Sequence, residues 1–458
     1  MNLSIGTLVN GAIWTVGAFG IAQAFRLVTS VILARLLAPE LFGIMLIVTT
    51  LRTGIELITD IGIGQNIIYS SKSLEPKFYN TAWSLQIIRS VGLWLAFSLA
   101  AIPAARFYNA PILASILPIS GLSILFAGLS AVSPAILKKQ LKFATVNLFD
   151  LATAGASSAI IIGFAYVNRT VWALVIGGVA GSAVSMVGSH FLLPNLRQRF
   201  HIDKQSASEI TSFGKWIFVS SIVYFLATNF DRLYFPSVLP LFILGNFAIA
   251  RAISDLLVNV AVHLSNIVVF PFIASHTNMQ REILRQKLAS IRSKFLILIA
   301  IGSALFIATA DLIVKLLYDE RYHAASWMLP ILVVGAWFSM LAAINESTLL
   351  GLGMPSYSAI ANTVRLVLVV FGLPLSFKAG GVIGGVISLA AIELCRYAPV
   401  FVGQRRERFS FGIQDLSVTL GMFLMVGVLE TLRWKFGLGT SFDSLPINDL
   451  MSLDRLIN

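Results

Sequence analysis

The chain reads as an all-α polytopic membrane protein of two six-helix lobes, with twelve core transmembrane helices and a candidate thirteenth. Three observations predict this. Of 458 residues, 57% are hydrophobic and only 12% are charged, whereas soluble domains carry about 25% charged residues. No single soluble core hides so much apolar surface, so the solvent must be lipid. The apolar residues fall in continuous runs long enough to cross a bilayer, and the connections between them alternate in basic charge. Continuous runs exclude a β-barrel, whose strands alternate over about ten residues.

A helix needs about 20 apolar residues to cross the hydrocarbon core. Such runs lie near 12–37, 41–68, 81–103, 112–134, 147–167, 171–193, 214–236, 242–273, 294–317, 326–352, 357–377 and 380–403. A thirteenth lies near 413–432, and Lys435–Asn458 is too polar to span. The longest polar connection, about 194–213, contains Arg197-Gln-Arg-Phe-His-Ile-Asp-Lys204 and divides the twelve spans into six and six. The expected domains are therefore a lobe over 1–194, a cytoplasmic linker over 195–213 and a second lobe over 214–404. Residues 405–458 form a basic segment with the extra helix and a polar tail. A weak repeat supports the division. Gly11-Ala-Ile-Trp14 resembles Gly214-Lys-Trp216 and Phe42-Gly43 resembles Leu244-Gly245, both at an offset of 202. Arg52-x-x-x-Glu56 resembles Arg251-x-x-x-Asp255 at 199. Halves of six spans share one orientation, with cargo bound between them.

Basic residues fix the expected orientation. One set of connections carries 17 of them, among them Lys138, Lys139, Lys142, Arg281, Arg285, Arg405 and Arg406; the other set carries 4, Arg106, Arg169, Arg321 and Lys378. The rich set is cytoplasmic by the positive-inside rule, and so is the N-terminus. The net charge of +12 is this bias, not a nucleic-acid surface. Lys138–Phe143 and Met279–Lys294 read as short basic helices at an anionic leaflet, so anionic phospholipids are expected contacts. No basic n-region and cleavage site precede the first run, so that span is expected to act as an uncleaved insertion signal. Cys395 is the one cysteine, and the five histidines show no ligand spacing; no metal or cofactor is expected. No Walker A loop is present, so energy coupling must come from ions, the membrane potential or the cargo gradient.

Charged residues stand inside the apolar runs: Arg26, Arg52, Arg251 and Arg365, with Glu56, Asp60, Asp255 and Glu393. A charge at the bilayer centre costs about 2.5–3.5 kcal/mol on insertion scales. Such residues face a wet cavity or each other. Arg52/Glu56 and Arg251/Asp255 stand at i, i+4, so each pair shares a helix face. Arg26 has no acid four residues away and must find its partner elsewhere, with Glu56 and Asp60 as candidates. Arg89 and Arg365 lie about a third of the way into their spans. The expected cavity cations are Arg26, Arg52, Arg89, Arg251 and Arg365; Glu56, Asp60, Asp231 and Asp255 are their charge partners or coupling groups. Asp231-Arg232 reads as a gate pair or a solvated helix end. Glu346 and Glu393-x-x-Arg396 read as structural polar contacts.

Ala34-Arg-Leu-Leu-Ala-Pro39-Glu-Leu-Phe-Gly43, followed by Asp60-Ile-Gly-Ile-Gly-Gln65, resembles the N-terminal signature of the polysaccharide biosynthesis exporters. These are the oligosaccharide flippases of the multidrug/oligosaccharidyl-lipid/polysaccharide exporter superfamily. Pro134–Phe143, Asp231, Leu244-Gly245, Pro271 and Leu317–Ala325 add to the likeness, which covers roughly residues 10–405. The resemblance implies a V-shaped, two-lobed rocker-switch carrier in a bacterial inner membrane, working as a monomer beside polysaccharide polymerase machinery. Its cargo would be an undecaprenyl pyrophosphate-linked oligosaccharide. The arginines then contact pyrophosphate or acidic sugars, a task suited to a permanent charge and a bidentate fork. Two rivals stand beside this reading. A cation-coupled multidrug antiporter of the same superfamily should have a cavity of acids and aromatics. A membrane-bound glycosyltransferase or ligase should carry a large extramembrane loop or an acid/His constellation, and the chain has neither.

Overall fold

The computed structural model describes residues 5–58, 62–276, 279–443 and 445, with the backbone alone for 5–16 and 212–219. Every regular element among them is helical. In chain order the α-helices are α1 (Ile5–Leu36), α2 (Pro39–Ile58), α3 (Ile63–Tyr69), α4 (Pro76–Leu99), α5 (Ala101–Phe107), α6 (Leu113–Ser120), α7 (Leu122–Leu129), α8 (Ser133–Lys139), α9 (Phe143–Val167) and α10 (Val171–Phe191). Then follow α11 (Lys204–Val238), α12 (Leu241–Leu264), α13 (Phe270–Ala274), α14 (Arg281–Ala308), α15 (Ala310–Leu317), α16 (His323–Gly351), α17 (Ser356–Val367), α18 (Leu373–Arg406) and α19 (Gly412–Lys435). Nine helical stretches among the described residues are long and apolar enough to cross a membrane, ten if the bent pair within 113–139 is one span. The protein is an all-α polytopic membrane protein.

Several expected spans are broken, each at an identifiable residue. Within the second expected run, Gly62 turns left-handed at φ 66° immediately before α3 begins at Ile63. The ninth breaks at Thr309 between α14 and α15. The 51-residue stretch 356–406 divides at Gly380 and Gly381, the latter at φ 56°, ψ −145°. That region is open only to glycine. Gly381→Ala is therefore expected to cost about 1–3 kcal/mol, read as a lower thermal midpoint in detergent. Gly353, at φ 80°, closes α16 by donating its amide to Leu350, as a helix C-terminal glycine does. The basic helix expected over Lys138–Phe143 is instead α8, which ends at Lys139, and Leu141 turns at φ 60°. The basic segment 279–294 is no separate interfacial helix; from Arg281 it runs unbroken into α14.

Contacts divide the chain into two compact units, Met1–Phe225 with Pro236–Val238, and Leu226–Phe235 with Leu239–Asn458. In the first, α9 packs on α1 and α10, and α4 on α7. Residues 199–203 lie against the first turns of α4. The amides of Arg199, His201 and Asp203 donate to Asn80 Oδ1, Ser84 Oγ and Thr81 Oγ1 at 2.8–2.9 Å. Asp203 then starts α11, accepting from the Ser206 amide and hydroxyl at 2.9 Å; these bonds hold its carboxyl below the usual carboxylate range.

In the second unit α16 is the central helix, packed on α12 and α18. Trp337, fully buried in it, donates its indole N–H to Thr419 on α19 at 3.0 Å. Buried ion pairs fix α19 at both ends. Arg292 on α14 pairs with Asp415, and Arg433 pairs with Asp311 on α15 at 2.8 Å. Asp415 also accepts from Asn345 at 2.9 Å and from the Tyr397 hydroxyl at 2.6 Å. Helix α19 thus runs parallel to α14–α15 from Asp415 to Arg433. That is about 27 Å at 1.5 Å per residue, close to the hydrocarbon thickness of about 30 Å.

Candidate functional site: two clusters of intramembrane charge

The first unit brings Arg52, Glu56 and Arg89 together. Residues 52 and 56 lie one turn apart on α2, and Arg52 Nε stands 3.8 Å from Glu56 Oε1. Their side chains are 35% and 41% exposed, so the pair is open on one edge. Arg89 reaches over from α4 and donates to the Glu56 backbone carbonyl at 2.6 Å. The trio holds two cations against one acid. Arg26 lies exposed on α1 and donates to Gln23 at 3.5 Å. Asp60 lies outside the described residues.

The second unit joins a larger set. Arg251 on α12 bridges Asp231 on α11 and Asp255 one turn along its own helix, each at 3.4 Å. Arg232 also holds Asp255. Arg365 on α17 pairs with Glu393 on α18 at 2.5 Å. Glu393 lies 3.5 Å from Arg396, which binds Glu346 on α16 at 2.9 Å. Four arginines therefore meet four carboxylates, and the network is charge-balanced. Asp231, Arg251, Arg365 and Glu393 line one small cavity of about 10 Å³, room for a single water.

Burial grades across this network. Asp231 is 2% exposed and Glu393 6%, while Arg232 and Asp255 keep about a quarter of their side chains open. Desolvation makes an unpaired charge at the closed end very costly. Sequence spacing could find Arg251/Asp255, because both lie on one helix face. It could not see that Asp231 and Arg232 pair with α12 and not with each other. It read Glu346 and Glu393-x-x-Arg396 as structural polar contacts, and the fold joins them to Arg365. The Arg292–Asp415 pair was missed entirely, because Arg292 read as one more cytoplasmic-side basic residue.

Residues 32–327 match the polysaccharide biosynthesis protein family. The chain is 23% identical over 408 residues to a putative O-antigen transporter of Shigella flexneri, covering 83% of this chain and 94% of that one. It is 23% identical over 249 residues to the lipopolysaccharide biosynthesis protein WzxC of Escherichia coli (strain K12). That match covers 53% of this chain and 49% of WzxC, so it spans about half of that relative's length. Among solved structures, the lipid II flippase MurJ in an inward closed conformation superposes with a TM-score of 0.72 at 16% identity, covering 98% and 97% of the two chains. At that identity the likeness speaks for the fold. With the family match covering well over half of its length, the chain belongs to the polysaccharide biosynthesis protein family.

Proposed function

We propose that this protein flips undecaprenyl pyrophosphate-linked oligosaccharide units across a bacterial inner membrane, for surface polysaccharide assembly. It works by alternating access between two six-helix lobes, over about 1–194 and 214–404, with its N-terminus in the cytoplasm. The observation that carries this reading is the Arg52–Glu56–Arg89 trio. It is one positive charge in excess, inside the apolar helical zone, and open on one edge. An intramembrane cation with an accessible face suits a membrane-borne anion. Arg26 adds a second exposed cation. Arg251 and Arg365 stand in the second unit as further contacts for pyrophosphate or acidic sugar, once an anion competes with their carboxylates.

The test is a flipping assay in proteoliposomes. Lipid pyrophosphate-linked oligosaccharide is loaded, and its accessibility to an external hydrolase is followed. Arg26→Ala/Arg52→Ala is expected to slow flipping at least about tenfold, the loss of one charge-assisted contact of roughly 1.5–3 kcal/mol, with normal membrane insertion. Flipping at the wild-type rate would remove these residues from the site. Absence of flipping by the wild type across several sugars, with drug efflux instead, would turn the reading to the cation-coupled antiporter.

A further inference from the structure

We infer that the cavity at the shared end of α15, α16 and α19 binds saccharide and selects sugars that carry a free amine. The cavity belongs wholly to the second unit and holds about 680 Å³, within the range of about 300–1,000 Å³ that small-molecule sites occupy. Only its place in transport rests on the flipping reading above. Arg281 starts α14 and pairs with Glu407, so the basic residues Arg281, Arg405 and Arg406 mark the opposite end of these helices. With those residues in the cytoplasm, the cavity faces outward, where a delivered saccharide emerges.

The wall is acidic and already shaped. Asp311, Asp319, Glu320 and Asp443 line it, against one lysine, Lys315, and one histidine, His323. Three of these carboxylates are fixed by their own neighbours. Arg433 donates to both oxygens of Asp311 at 2.8 Å. Arg321 Nε donates to both oxygens of Asp319 at 2.9 and 3.0 Å. Asp443 accepts from the Thr440 amide at 2.7 Å and from its hydroxyl at 2.6 Å; these bonds hold its carboxyl below the usual carboxylate range. An ionised carboxylate offers about four lone-pair sites, so each fixed acid can still accept from a ligand hydroxyl. A preformed wall spares the ligand the cost of ordering it.

Two wall groups are still open. The Glu320 carboxylate is exposed and, among the described residues, has no cation or donor. Ser326, in the first turn of α16, is 3% exposed and lines the cavity. Its hydroxyl makes no hydrogen bond among the described residues, whereas buried Ser265 turns back to its own helix and donates to the Ala261 carbonyl at 2.7 Å. Buried polar groups normally have a partner, so a bare hydroxyl in a cavity wall points to one that enters the cavity. No three acidic, histidine or cysteine side chains among the described residues gather closely enough to hold a metal ion. The acceptors are spread round a roomy cavity instead, with Val314 and Leu438 as apolar lining. That layout suits a ring bearing several hydroxyls. Each hydroxyl donates to a carboxylate, the stronger, charge-assisted kind of bond, and the C–H face of the ring rests on the apolar lining. Glu320 then takes an ammonium group. The excess of acid repels an acidic sugar.

The experiment uses the full chain in a detergent without a sugar headgroup, and calorimetry with free trisaccharides. The probes are a trimer of glucosamine, cationic at neutral pH, its fully N-acetylated form, and a trimer of galacturonate. The glucosamine trimer is expected to bind at least about tenfold tighter than the acetylated one, the effect of one charge-assisted contact, and the galacturonate trimer not to bind. Glu320→Gln is expected to erase the preference for the amine. Ser326→Ala is expected to weaken both glucosamine-based ligands by about threefold to tenfold. Both substitutions are small, and an unchanged thermal midpoint confirms that each variant folds. No binding by the wild type, equal binding of the amine and acetyl forms, or binding untouched by both substitutions overturns the proposal. The probes carry no lipid and no flipping is read, so failure here leaves the flippase reading standing, and a failed flipping assay leaves binding in this cavity intact.

Discussion

Arg251→Ala is expected to destabilise the protein by about 3–5 kcal/mol, the usual effect of removing one partner from a buried ion pair. Arg251 on α12 holds two acids, Asp231 on α11 and Asp255 on its own helix. Its removal leaves Asp231 buried without its ion-pair partner, and leaves Asp255 to Arg232. The measurement is thermal unfolding in detergent, with the folded fraction read by size exclusion. A control separates lost charge from lost packing. Arg251→Ala/Asp231→Asn removes the stranded carboxylate and should recover a substantial part of the loss. A double variant no more stable than the single one would mean that the guanidinium acts through packing. Arg251→Lys should rescue little, because a point-charge ammonium cannot bridge two carboxylates as a planar fork does.

Arg292→Ala is expected to cost a similar amount, about 3–5 kcal/mol, for a different structural reason. Arg292 is 1% exposed and bonds to Asp415, to Asn345 at 2.8 Å and to Gln414 at 2.7 Å. The Phe411 ring packs on its guanidinium with its centroid 4.6 Å away. Truncation leaves Asp415 uncompensated at one end of α19, while Arg433–Asp311 still holds the other. The expected result is a lower thermal midpoint with faster proteolysis near residues 407–412, where the chain enters α19. Replacing both partners by apolar side chains of similar size, as in Arg292→Met/Asp415→Leu, should be nearly neutral in stability. Equal losses in the single and double variants would show that the surrounding polar groups, Tyr397 and Asn345, need the pair in place.

The membrane-spanning helices were legible because their signal is local and large: each apolar run is long enough by itself to reach across the bilayer. Their breaks were less legible. Gly62 and Thr309 interrupt runs whose apolar character continues on both sides, so hydropathy reads straight across them. Gly380-Gly381 stand at the very start of the expected run 380–403, just after the run that ends at 377, where a turn was readable. The charge clusters divide in the same way. Arg52/Glu56 and Arg251/Asp255 were visible because four residues make one helical turn. Arg89 with Glu56, Arg365 with Glu393 and Arg292 with Asp415 join helices distant in sequence, and no spacing rule reaches them. Asp415 gave no signal of its own. It stands in the first turn of its helix, where a carboxylate is common and suggests nothing about a partner.

The stretch from 199 to 203 has a consequence for how the sequence can drift. Its hold on α4 is one-sided: the linker supplies only main-chain N–H groups, and α4 supplies the side chains of Asn80, Thr81 and Ser84. Nearly any residue offers the same amide, so side-chain changes at 199 and 201 leave the fastening intact. Proline alone, which has no N–H to give, is barred at 199, 201 and 203. The three positions on α4 have no such freedom, since each must present an oxygen from a buried face. Variation in this connection should therefore be silent on the side that looks like a loop and damaging on the side that looks like an ordinary apolar helix.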